Sequence, residues 1–524
     1  MQTDTGNVKY PIGVQDFAKL IEFGYVYVDK TELIYKLANS GNCMFLSRPR
    51  RFGKSLTLST LKYYFEGRED LFKGLALERL EKEWKKHPVF LFSFATFSKN
   101  DNNDLENILE YHLKEWENQY ELPVGDGNFA NRFKTVIKKA NEATGQKAVV
   151  LIDEYDSALV STLSDPELHK KAKELLKPVY TVLKDMDPYI RFALITGITR
   201  FSKMTIFSGL NNLNDISLDT DFSALCGITP NELEDYFQSG IKKLAAKYRL
   251  DYDAALLELK NYYDGYHFTA DSDDIYNPFS ILNALSKSTL SNYWFATGIP
   301  SFIVERMKNK DLEIEKYMNQ SAEESTLKEA DSAYSSDLAI LFQAGFLTIK
   351  GREPGAGRED DYILGIPNRE VREGMSKLFM EKFLNPDDSY NRNIIRDLSR
   401  ALREGEPDKF LTILKGFFAG VPFEMSKGDK EVYFHNAFYI ITNLVGLYVQ
   451  AERHTSAGSI DLVISTPDYV YVIEIKMNKK PEIALDQINS KEYALPWVAD
   501  HRKLFKIGVT FSSRTRNISR WLIE

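Results

Sequence analysis

One stretch near the start of the chain carries residue types whose spacing could bind phosphate. Cys43–Leu46 is a short apolar run, a basic loop follows it, and Gly53-Lys54-Ser55 precedes a segment with helical character from Leu56. This layout is typical of a phosphate-binding loop, in which backbone N–H groups and a lysine hold phosphates and a serine hydroxyl binds Mg²⁺. The strict pattern has glycine five residues before Gly53, where this chain has Arg48. The match is therefore partial, and a motif this short also arises by chance.

A second acidic element follows the apolar run Ala148–Ile152, which ends at Asp153 and Glu154. A parallel strand would deliver these carboxylates to the sheet edge that carries the phosphate loop. There Asp153 could hold Mg²⁺ through water, and Glu154 could polarise an attacking water. Thr196 ends another apolar run and would lie beside both, within reach of the water or the γ-phosphate. The alternatives are a solvated strand end for the acids and a satisfied turn residue for the threonine.

Basic and aromatic residues around the loop complete the candidate nucleotide site. Arg50 and Arg51 either stabilise phosphate charge or are simply solvated. Arg200 either touches the phosphates, reaches a neighbouring subunit or is an ordinary surface arginine. Phe52, inside the loop, and Leu56, at the start of the helix that follows it, are further candidate nucleotide contacts. Residues 10–40 lie ahead of the loop and could contact the nucleotide base. Within this segment Asp29 is the predicted N-cap of a helix over Lys30–Ala38.

A second constellation lies near the end of the chain. Asp461 stands in the strand-like run Ile460–Ile464, and Glu474 and Lys476 are two residues apart around the end of another, Tyr469–Ile475. On a strand, residues two apart share a face. Phosphodiester hydrolysis uses two carboxylates on one or two Mg²⁺ ions and a cation beside the attacking water or the phosphate. The alternative is an ordinary amphipathic hairpin with a solvent-facing Glu and Lys.

Helices predicted around these strands add two candidates. A helix over Phe438–Glu452 would end at Glu452, an outer metal carboxylate. A helix over Ala484–Tyr493 carries Gln487, which could position the phosphate or Lys476. A strand over Leu504–Thr510 and a closing helix over Thr515–Leu522 complete the region.

Composition limits the classes to which the chain can belong. It has 524 residues, 43% apolar and 27% charged, with a net charge of −8. These values are those of an ordinary globular protein with several domains, and a basic surface for nucleic acid could only be local. Its two cysteines indicate a reducing compartment. We find no run long enough to span a membrane and no signal peptide, so we expect a cytoplasmic protein with no membrane partner.

Apolar runs that alternate with helical segments predict an α/β fold with a phosphate-loop parallel sheet covered by helices on both faces. A mostly helical middle domain would follow, and then a C-terminal α/β domain. The predicted boundaries are 1–224 for the sheet domain, 225–370 for the middle domain, 371–429 for a helical linker region and 430–524 for the last domain.

The motifs resemble two known families. Residues 47–55 resemble the variant phosphate loop of a bacterial AAA-ATPase-like family, in which the first glycine is usually missing. Residues 12–17, 151–156, 196–200 and 266–278 hold further motifs similar to that family. The order of Glu452, Asp461, Glu474, Lys476 and Gln487 resembles the PD-(D/E)xK nuclease superfamily, although Ser459-Ile460 replace its proline-containing start.

These resemblances imply an ATP-binding protein with Mg²⁺ at Ser55 and Asp153, joined to a metal-dependent nuclease domain. They also imply that the middle domain is lid-like or winged-helix-like and that the last domain is of restriction-endonuclease type. The metal ligands there would be Asp461, Glu474 and Glu452, and the partner would be DNA or RNA. ATP is either hydrolysed or only bound. The competing hypotheses are a non-cleaving nucleotide-dependent switch that grips nucleic acid or a protein, and a degenerate ATPase fold without nucleotide. The sequence also leaves open whether the chain forms a homo-oligomer.

Overall fold

The computed structural model describes a set of ranges along the chain: residues 8–97, 105–123, 125, 127–162, 165–200, 210, 212–297, 321–328, 337–355, 360–383, 389–419, 448–455, 458–498 and 500–524. These residues form two compact units. One contains residues 8–297 and 321–371, and the other contains residues 372–524. Among the described residues, none of the helices combines the length and the apolar content needed to cross a membrane.

The first part of the first unit alternates helices and strands. In chain order its elements are α1 (Phe17–Glu22), α2 (Thr31–Ser40), β1 (Cys43–Ser47), α3 (Lys54–Phe65), α4 (Ala76–Leu80), β2 (Val89–Ser93), α5 (Leu105–Gln119), α6 (Phe129–Thr144), β3 (Ala148–Asp153), α7 (Ser157–Ser161), α8 (Pro166–Asp185), β4 (Ile190–Gly197) and β5 (Asn214–Asp215). Short 3₁₀ turns cover Glu69–Phe72, Asp187–Tyr189 and Thr220–Phe222.

The five strands form one parallel sheet in the order β2-β3-β4-β1-β5. Every residue of β3 is buried, and so is nearly every residue of β4, because helices cover both faces. β4 lies between β1 and β3, so the carboxyl ends of these three strands meet at one edge. The predicted α/β fold is confirmed, and this edge is where the chain places its phosphate loop and its acids.

The second part of the first unit is mostly helical. It contains α9 (Pro230–Tyr248), α10 (Tyr252–Tyr263), α11 (Pro278–Lys287), α12 (Tyr293–Thr297), β6 (Ser321–Glu323), α13 (Glu324–Lys328), α14 (Asp337–Gln343), β7 (Thr348–Pro354) and β8 (Asp360–Gly365). α9 begins as its sequence indicates, with Pro230 at its first position and a capping box between Thr229 and Glu232. The strands form a small antiparallel sheet in the order β6-β8-β7.

The described part of the second unit contains four helices and a five-stranded sheet. α15 (Arg369–Phe383) begins at the end of the first unit, and the rest are α16 (Ser389–Arg403), α17 (Pro407–Ala419), β9 (Tyr448–Thr455), β10 (Gly458–Ser465), β11 (Tyr469–Met477), α18 (Pro481–Ser490), a 3₁₀ turn (Leu495–Trp497), β12 (Lys503–Ser512) and β13 (Asn517–Ile523). The sheet order is β13-β12-β11-β10-β9. β11 and β12 are parallel, with α18 as their crossover, and the other neighbours are antiparallel.

Three local predictions are wrong. The closing helix over Thr515–Leu522 is instead strand β13, because this segment pairs along β12. The segment at Glu452 is part of strand β9, paired with β10, and residues 438–447 lie outside the described residues. Helix α2 has Lys30 at its N-cap without a side-chain bond. Asp29 accepts instead from the backbone and hydroxyl of Thr31 and from the backbone N–H of Ala76.

The helix after the phosphate loop begins at Lys54, two residues earlier than predicted. The domain boundaries given above stay predictions, since residues 420–447 lie outside the described part of the chain.

Candidate functional site

The phosphate loop joins the buried strand β1 to helix α3. Gly53 stands at the N-cap of α3 with φ of +98°, a left-handed conformation that glycine adopts without a steric cost. This turn aims the first backbone N–H groups of α3 back at the loop. Ser55 and Leu56 lie in that first turn and are partly exposed. The first turn of a helix has no internal acceptors for its N–H groups and carries a partial positive charge, so it can receive an anion.

Arg48, where the strict motif has glycine, anchors the loop. Its side chain is buried and donates from Nη1 to the Ser217 carbonyl at 2.7 Å and from Nη2 to the Phe222 carbonyl at 3.3 Å. The guanidinium carbon also lies 3.9 Å from the centroid of the Phe268 ring. Burial lowers the pKa of Arg48 to about 10, so it remains a cation at neutral pH. The departure from the motif therefore fixes the loop by contacts that a glycine could not make.

Lys54 is buried at the start of α3. Its Nζ donates to the loop carbonyls of Arg48 at 2.8 Å and Pro49 at 3.0 Å. Burial lowers the pKa of Lys54, and the carboxylates of Asp153 and Glu154 counteract this effect. The ammonium thus lies between the loop and the acids that follow β3, which is where a phosphate-binding lysine is required.

Asp153, the last residue of β3, and Thr196, the last but one of β4, lie beside each other. Thr196 Oγ1 donates to Asp153 Oδ1 at 2.8 Å, and both side chains are buried. Glu154 has a left-handed φ of +51°, which is uncommon outside glycine and typical of strained functional turns. Burial raises the pKa of the Glu154 carboxyl, and the charges of Lys54 and Arg50 oppose the shift. A carboxyl of raised pKa beside a lysine is suited to handling a proton.

Asp156 holds the loop after β4, a role that our sequence analysis did not assign. Its Oδ2 accepts from the backbone N–H of Ile198 at 3.0 Å, from the backbone N–H of Thr199 at 2.7 Å and from the Thr199 hydroxyl at 2.7 Å. A Cβ on Gly197 would lie 2.6 Å from Asp156 Oδ1 and from the Tyr155 ring. In the sequence, only the spacing of Asp153 and Asp156 pointed to this role. The residues that they contact lie 42 or 43 positions further along the chain.

Residues of the helical part of this unit pack against the phosphate loop and form a hydrogen bond to it. The Phe52 ring packs edge-on against Tyr266 and Phe268, with centroid distances of 4.9 and 5.5 Å. Trp294 Nε1 donates to the Arg50 carbonyl at 3.0 Å. Phe52, predicted as a nucleotide contact, is therefore a buried anchor of the loop.

The three candidate arginines differ in their surroundings. Arg51 is exposed, and its guanidinium lies 4.9 Å from the centroid of the Phe279 ring. Arg50 is partly exposed and acts electrostatically on Glu154. Arg200 forms an ion pair with Asp215 at 2.5 Å, so its charge already has a partner.

A largely apolar cavity of about 90 Å³ adjoins the start of α3. Its walls include residues from before the loop, from α3 and from α9 to α11: Pro11, Tyr27, Gly53, Thr57, Ile228 and Leu282. Lys30 also lines it and places Nζ 2.6 Å from each carboxylate oxygen of Glu232. The cavity thus offers apolar walls beside the phosphate loop, together with a polar pair.

In the second unit, strand register brings two acids together. The antiparallel pair Leu462↔Ile473 is followed by positions 461 and 474, which share one face of the sheet. Asp461 Oδ2 accepts from the backbone N–H of Ile475 at 2.7 Å. Asp461 and Glu474 therefore occupy neighbouring positions across two strands, as predicted.

Glu474 is the centre of this arrangement. It is 1% exposed, and its Oε1 accepts from Lys476 Nζ at 2.7 Å and from Gln487 Nε2 at 2.6 Å. Its Oε2 is buried without a hydrogen-bond partner among the described residues. Burial raises the pKa of Glu474, and the charge of Asp461 raises it further. Gln487, which we expected near the phosphate or Lys476, contacts the carboxylate itself.

Gly508 allows helix α18 to lie close enough for this contact. In the parallel register Gly508 is opposite Glu474. A Cβ there would come within 2.4 Å of the Pro481 carbonyl and 3.0 Å of the Leu485 nitrogen. Because position 508 has no side chain, α18 crosses β12 directly and delivers Gln487 to Glu474.

Glu452 is placed differently from the prediction. The pairs Ile460↔Arg453 and Leu462↔Ala451 flank position 452, which therefore stands opposite Asp461 on strand β9. It belongs by register to the same row as Asp461 and Glu474, not to the end of a helix.

Comparison with known proteins identifies both units. A family model described as Predicted AAA-ATPase matches residues 11–207, and a PD-(D/E)XK nuclease superfamily model matches residues 429–521. A protein of Azotobacter chroococcum mcd 1, named "Uncharacterized protein in vnfD 5'region", is 34% identical over 523 residues, which are 98% of this chain and 99% of that one. The chain therefore belongs to the predicted AAA-ATPase family and ends in a PD-(D/E)XK nuclease superfamily domain, which confirms the resemblances found in the sequence.

A solved structure of the Aeropyrum pernix ORC2 protein, titled as ADPNP–ADP complexes, is also similar. It matches 67% of this chain and 93% of its own, with 13% identity and a TM-score of 0.29. A similarity this low supports no conclusion about function.

Proposed function

We propose that this protein binds ATP in its first unit and hydrolyses nucleic-acid phosphodiester bonds with Mg²⁺ in its second. The observation that carries the proposal is the buried carboxylate of Glu474. Two side chains, Lys476 and Gln487, converge on one of its oxygens, while the other has no partner within the described residues. A buried acceptor left open beside a second acid costs stability, which is expected where a site is built for a ligand.

The residues present fit a hard divalent cation. The candidate metal donors in the second unit are two carboxylates, Asp461 and Glu474. In the described ranges no group of three or more His, Cys, Asp or Glu side chains could hold a metal. Carboxylate oxygens suit Mg²⁺, which keeps several waters and needs only one or two protein carboxylates. When bound, Mg²⁺ would polarise the phosphodiester and lower the pKa of a water. The register position of Glu452 makes it a candidate third acid.

Lys476 supplies the cation that the reaction requires. Its side chain is 21% exposed and its Nζ lies 2.7 Å from Glu474 Oε1, so the lysine is held in place yet open to a substrate. It would orient the attacking water and stabilise negative charge on the phosphate. Gln487 fixes the carboxylate by donating to the same oxygen, which leaves Oε2 of Glu474 as the oxygen that would bind the metal.

For the first unit we propose an ATP–Mg²⁺ site. Lys54 and the N–H groups that follow Gly53 would bind the phosphates, and Ser55 and Asp153 would hold Mg²⁺. Glu154 would polarise the attacking water, Thr196 would position it, and Arg50 and Arg51 would neutralise phosphate charge. The cavity behind Gly53 would receive the base against its apolar walls. Arg200, paired with Asp215, would contact phosphate only if that pair opens.

Cleavage assays on the full chain test the hydrolytic proposal. Wild type and Lys476→Ala would be incubated with Mg²⁺ or Mn²⁺, with and without ATP, and with duplex DNA, single-stranded DNA or RNA. We expect cleavage by wild type and a loss of at least about 100-fold in Lys476→Ala, because general acid–base and charge-stabilising groups contribute on this scale. Lys491→Ala, on the exposed surface of the same unit, is the control.

A thermal measurement separates loss of the site from loss of the fold. Mn²⁺ should raise the unfolding temperature of wild type in proportion to its binding, and Glu474→Gln should abolish this shift. Intact nucleic acid in every assay, with wild type equal to Lys476→Ala, would leave the nucleotide-dependent switch as the better account.

A further inference from the structure

A cationic surface lies directly beyond Lys476. Strand β11 ends at Met477, and the turn after it carries Lys479 and Lys480, both exposed. The turn between β12 and β13 carries Arg514 and Arg516, of which Arg514 is exposed. We call residues 478–480 and 513–516 together the cationic ledge. The ledge contains four basic residues and no acid, and the nearest acid along the chain is Glu482. The ledge is therefore basic in a chain whose net charge is −8.

Hydrogen bonds join the two turns into one structure. Asn478 has a left-handed φ of +55°, and its Oδ1 accepts from the backbone N–H of Ser513 at 2.9 Å. Asn478 Nδ2 donates to Ser513 Oγ at 2.9 Å, and its backbone N–H donates to the Phe511 carbonyl at 2.8 Å. Thr510 Oγ1 donates to the Lys479 carbonyl at 2.8 Å. A strained asparagine and this many bonds order a surface that would otherwise be two independent turns.

The ledge is set at a fixed distance from the proposed chemistry. Lys476 is opposite Thr510 on β12, and Thr510 is opposite Arg520 on β13. A strand advances about 3.3 Å per residue, so the ledge begins about 7 Å beyond Lys476. A nucleic-acid strand presents one phosphate per about 3.4 Å of helix axis, so the ledge would span the next few phosphates.

No described acid neutralises the exposed cations of the ledge. Among the described residues, Lys479, Lys480 and Arg514 form no ion pair, whereas Lys506 on the same strand as Thr510 pairs with Glu524. Helix α18 begins at Pro481 with Lys480 as its N-cap and no side-chain cap bond, so its N-terminal partial charge adds to the same surface.

We infer that the cationic ledge binds the phosphate backbone of the nucleic acid whose bond is placed at Asp461, Glu474 and Lys476. This inference rests on the proposed nuclease function and assigns its substrate contact. The contact is with regularly spaced phosphates and not with bases, because lysine and arginine on rigid turns at the end of a sheet present charge without an element that could enter a groove.

Binding measured without catalysis tests this inference on the full chain. A labelled 25-base-pair DNA duplex, a single strand of the same sequence and the matching RNA would be titrated in EDTA over a range of salt concentrations. The test variant is Lys479→Ala/Arg514→Ala, one residue from each turn. The control is Lys491→Ala/Lys503→Ala, two exposed lysines of the same unit; Lys503 stands opposite Tyr469 at the other end of β11.

We expect the test variant to bind the preferred probe about tenfold more weakly and to lower the slope of log K against log salt by about 2, since each duplex phosphate contact contributes about 0.9. The control should match wild type. If the test and control variants keep the same affinity and slope while wild type binds and cleaves, the ledge assignment is overturned and the nuclease proposal stands. If wild type neither binds nor cleaves any probe, the proposed function itself fails.

Discussion

At the scale of single residues, a buried acid links the phosphate loop to the helical part of the first unit. Glu370 is 1% exposed, and its carboxylate accepts from the Ser280 hydroxyl and from the Trp294 backbone N–H, both at 2.6 Å. Trp294 in turn donates from its ring to the Arg50 carbonyl of the loop. Burial raises the pKa of Glu370 to about 7. The ionisation of Glu370 near neutral pH therefore occurs next to Trp294, which contacts the loop of the candidate nucleotide site.

This raised pKa predicts a pH-dependent stability. A carboxyl whose pKa is about 4.5 when unfolded and about 7 when folded binds more protons in the folded state between these values. Stability should therefore fall as pH rises from about 5 to 7.5, by up to about 3 kcal/mol from this group. Glu370→Gln should remove that share, so its stability relative to wild type should be higher at pH 8 than at pH 5. Denaturant unfolding at several pH values measures it.

The control for this measurement is Glu32→Gln, which changes an exposed acid of the same unit and should not alter the slope. Asp264, whose pKa burial also raises to about 7, adds a slope of the same sign that remains in Glu370→Gln. If the stability of Glu370→Gln changes with pH in the same way as that of wild type, the role given to Glu370 is refuted.

At the scale of elements, the sequence predicted the strands and helices whose structure follows from their own residues. The run Ala148–Ile152 had to be a strand because it is apolar throughout and ends in acids, and β3 is buried along its whole length. Segment 517–523 was mistaken for a helix because Ile518, Trp521 and Leu522 also suit helical spacing. Pairing with β12, several residues away across a turn, decides its structure. The role of Asp156 was likewise unpredictable, since it depends on β4 lying beside β3.

Helix α18 offers a prediction at this scale. Gly508→Ala places a methyl group 2.4 Å from the Pro481 carbonyl, so the helix must move away from β12 and Gln487 must draw back from Glu474. We expect a loss of about 1–3 kcal/mol, as in other overpacked contacts, together with a weaker Mn²⁺-induced rise in unfolding temperature. Thermal unfolding with and without Mn²⁺ measures both effects.

Gly416→Ala is the matched control, because Gly416 lies within α17 with nothing within 4 Å of the position of a Cβ. It should stabilise the protein by up to about 1 kcal/mol through helix propensity and leave the metal response intact. Equal behaviour of the two variants would show that close approach of α18 is not what sets the site.

At the scale of the whole molecule, the two candidate sites belong to separate units of one chain. Lys54 and Asp153 belong to the unit of residues 8–297 and 321–371, whereas Asp461 and Glu474 belong to that of residues 372–524. Helix α15, from Arg369 to Phe383, begins in the first and continues into the second, and Glu370 stands in its first turn.

Because both candidate sites lie on one chain, we predict that ATP controls cleavage. Lys54→Ala should lower ATP affinity by at least about tenfold, which is about 1.4 kcal/mol, because a buried ammonium no longer meets the phosphates. It should also remove the dependence of cleavage on ATP, although every residue of the second site is intact. Lys62→Ala, a partly exposed lysine on the same helix, should change neither. Calorimetric ATP titration and cleavage rates at increasing ATP measure the two effects, and a Lys54→Ala protein that loses ATP binding yet cleaves with the wild-type response to ATP would show that the units act independently.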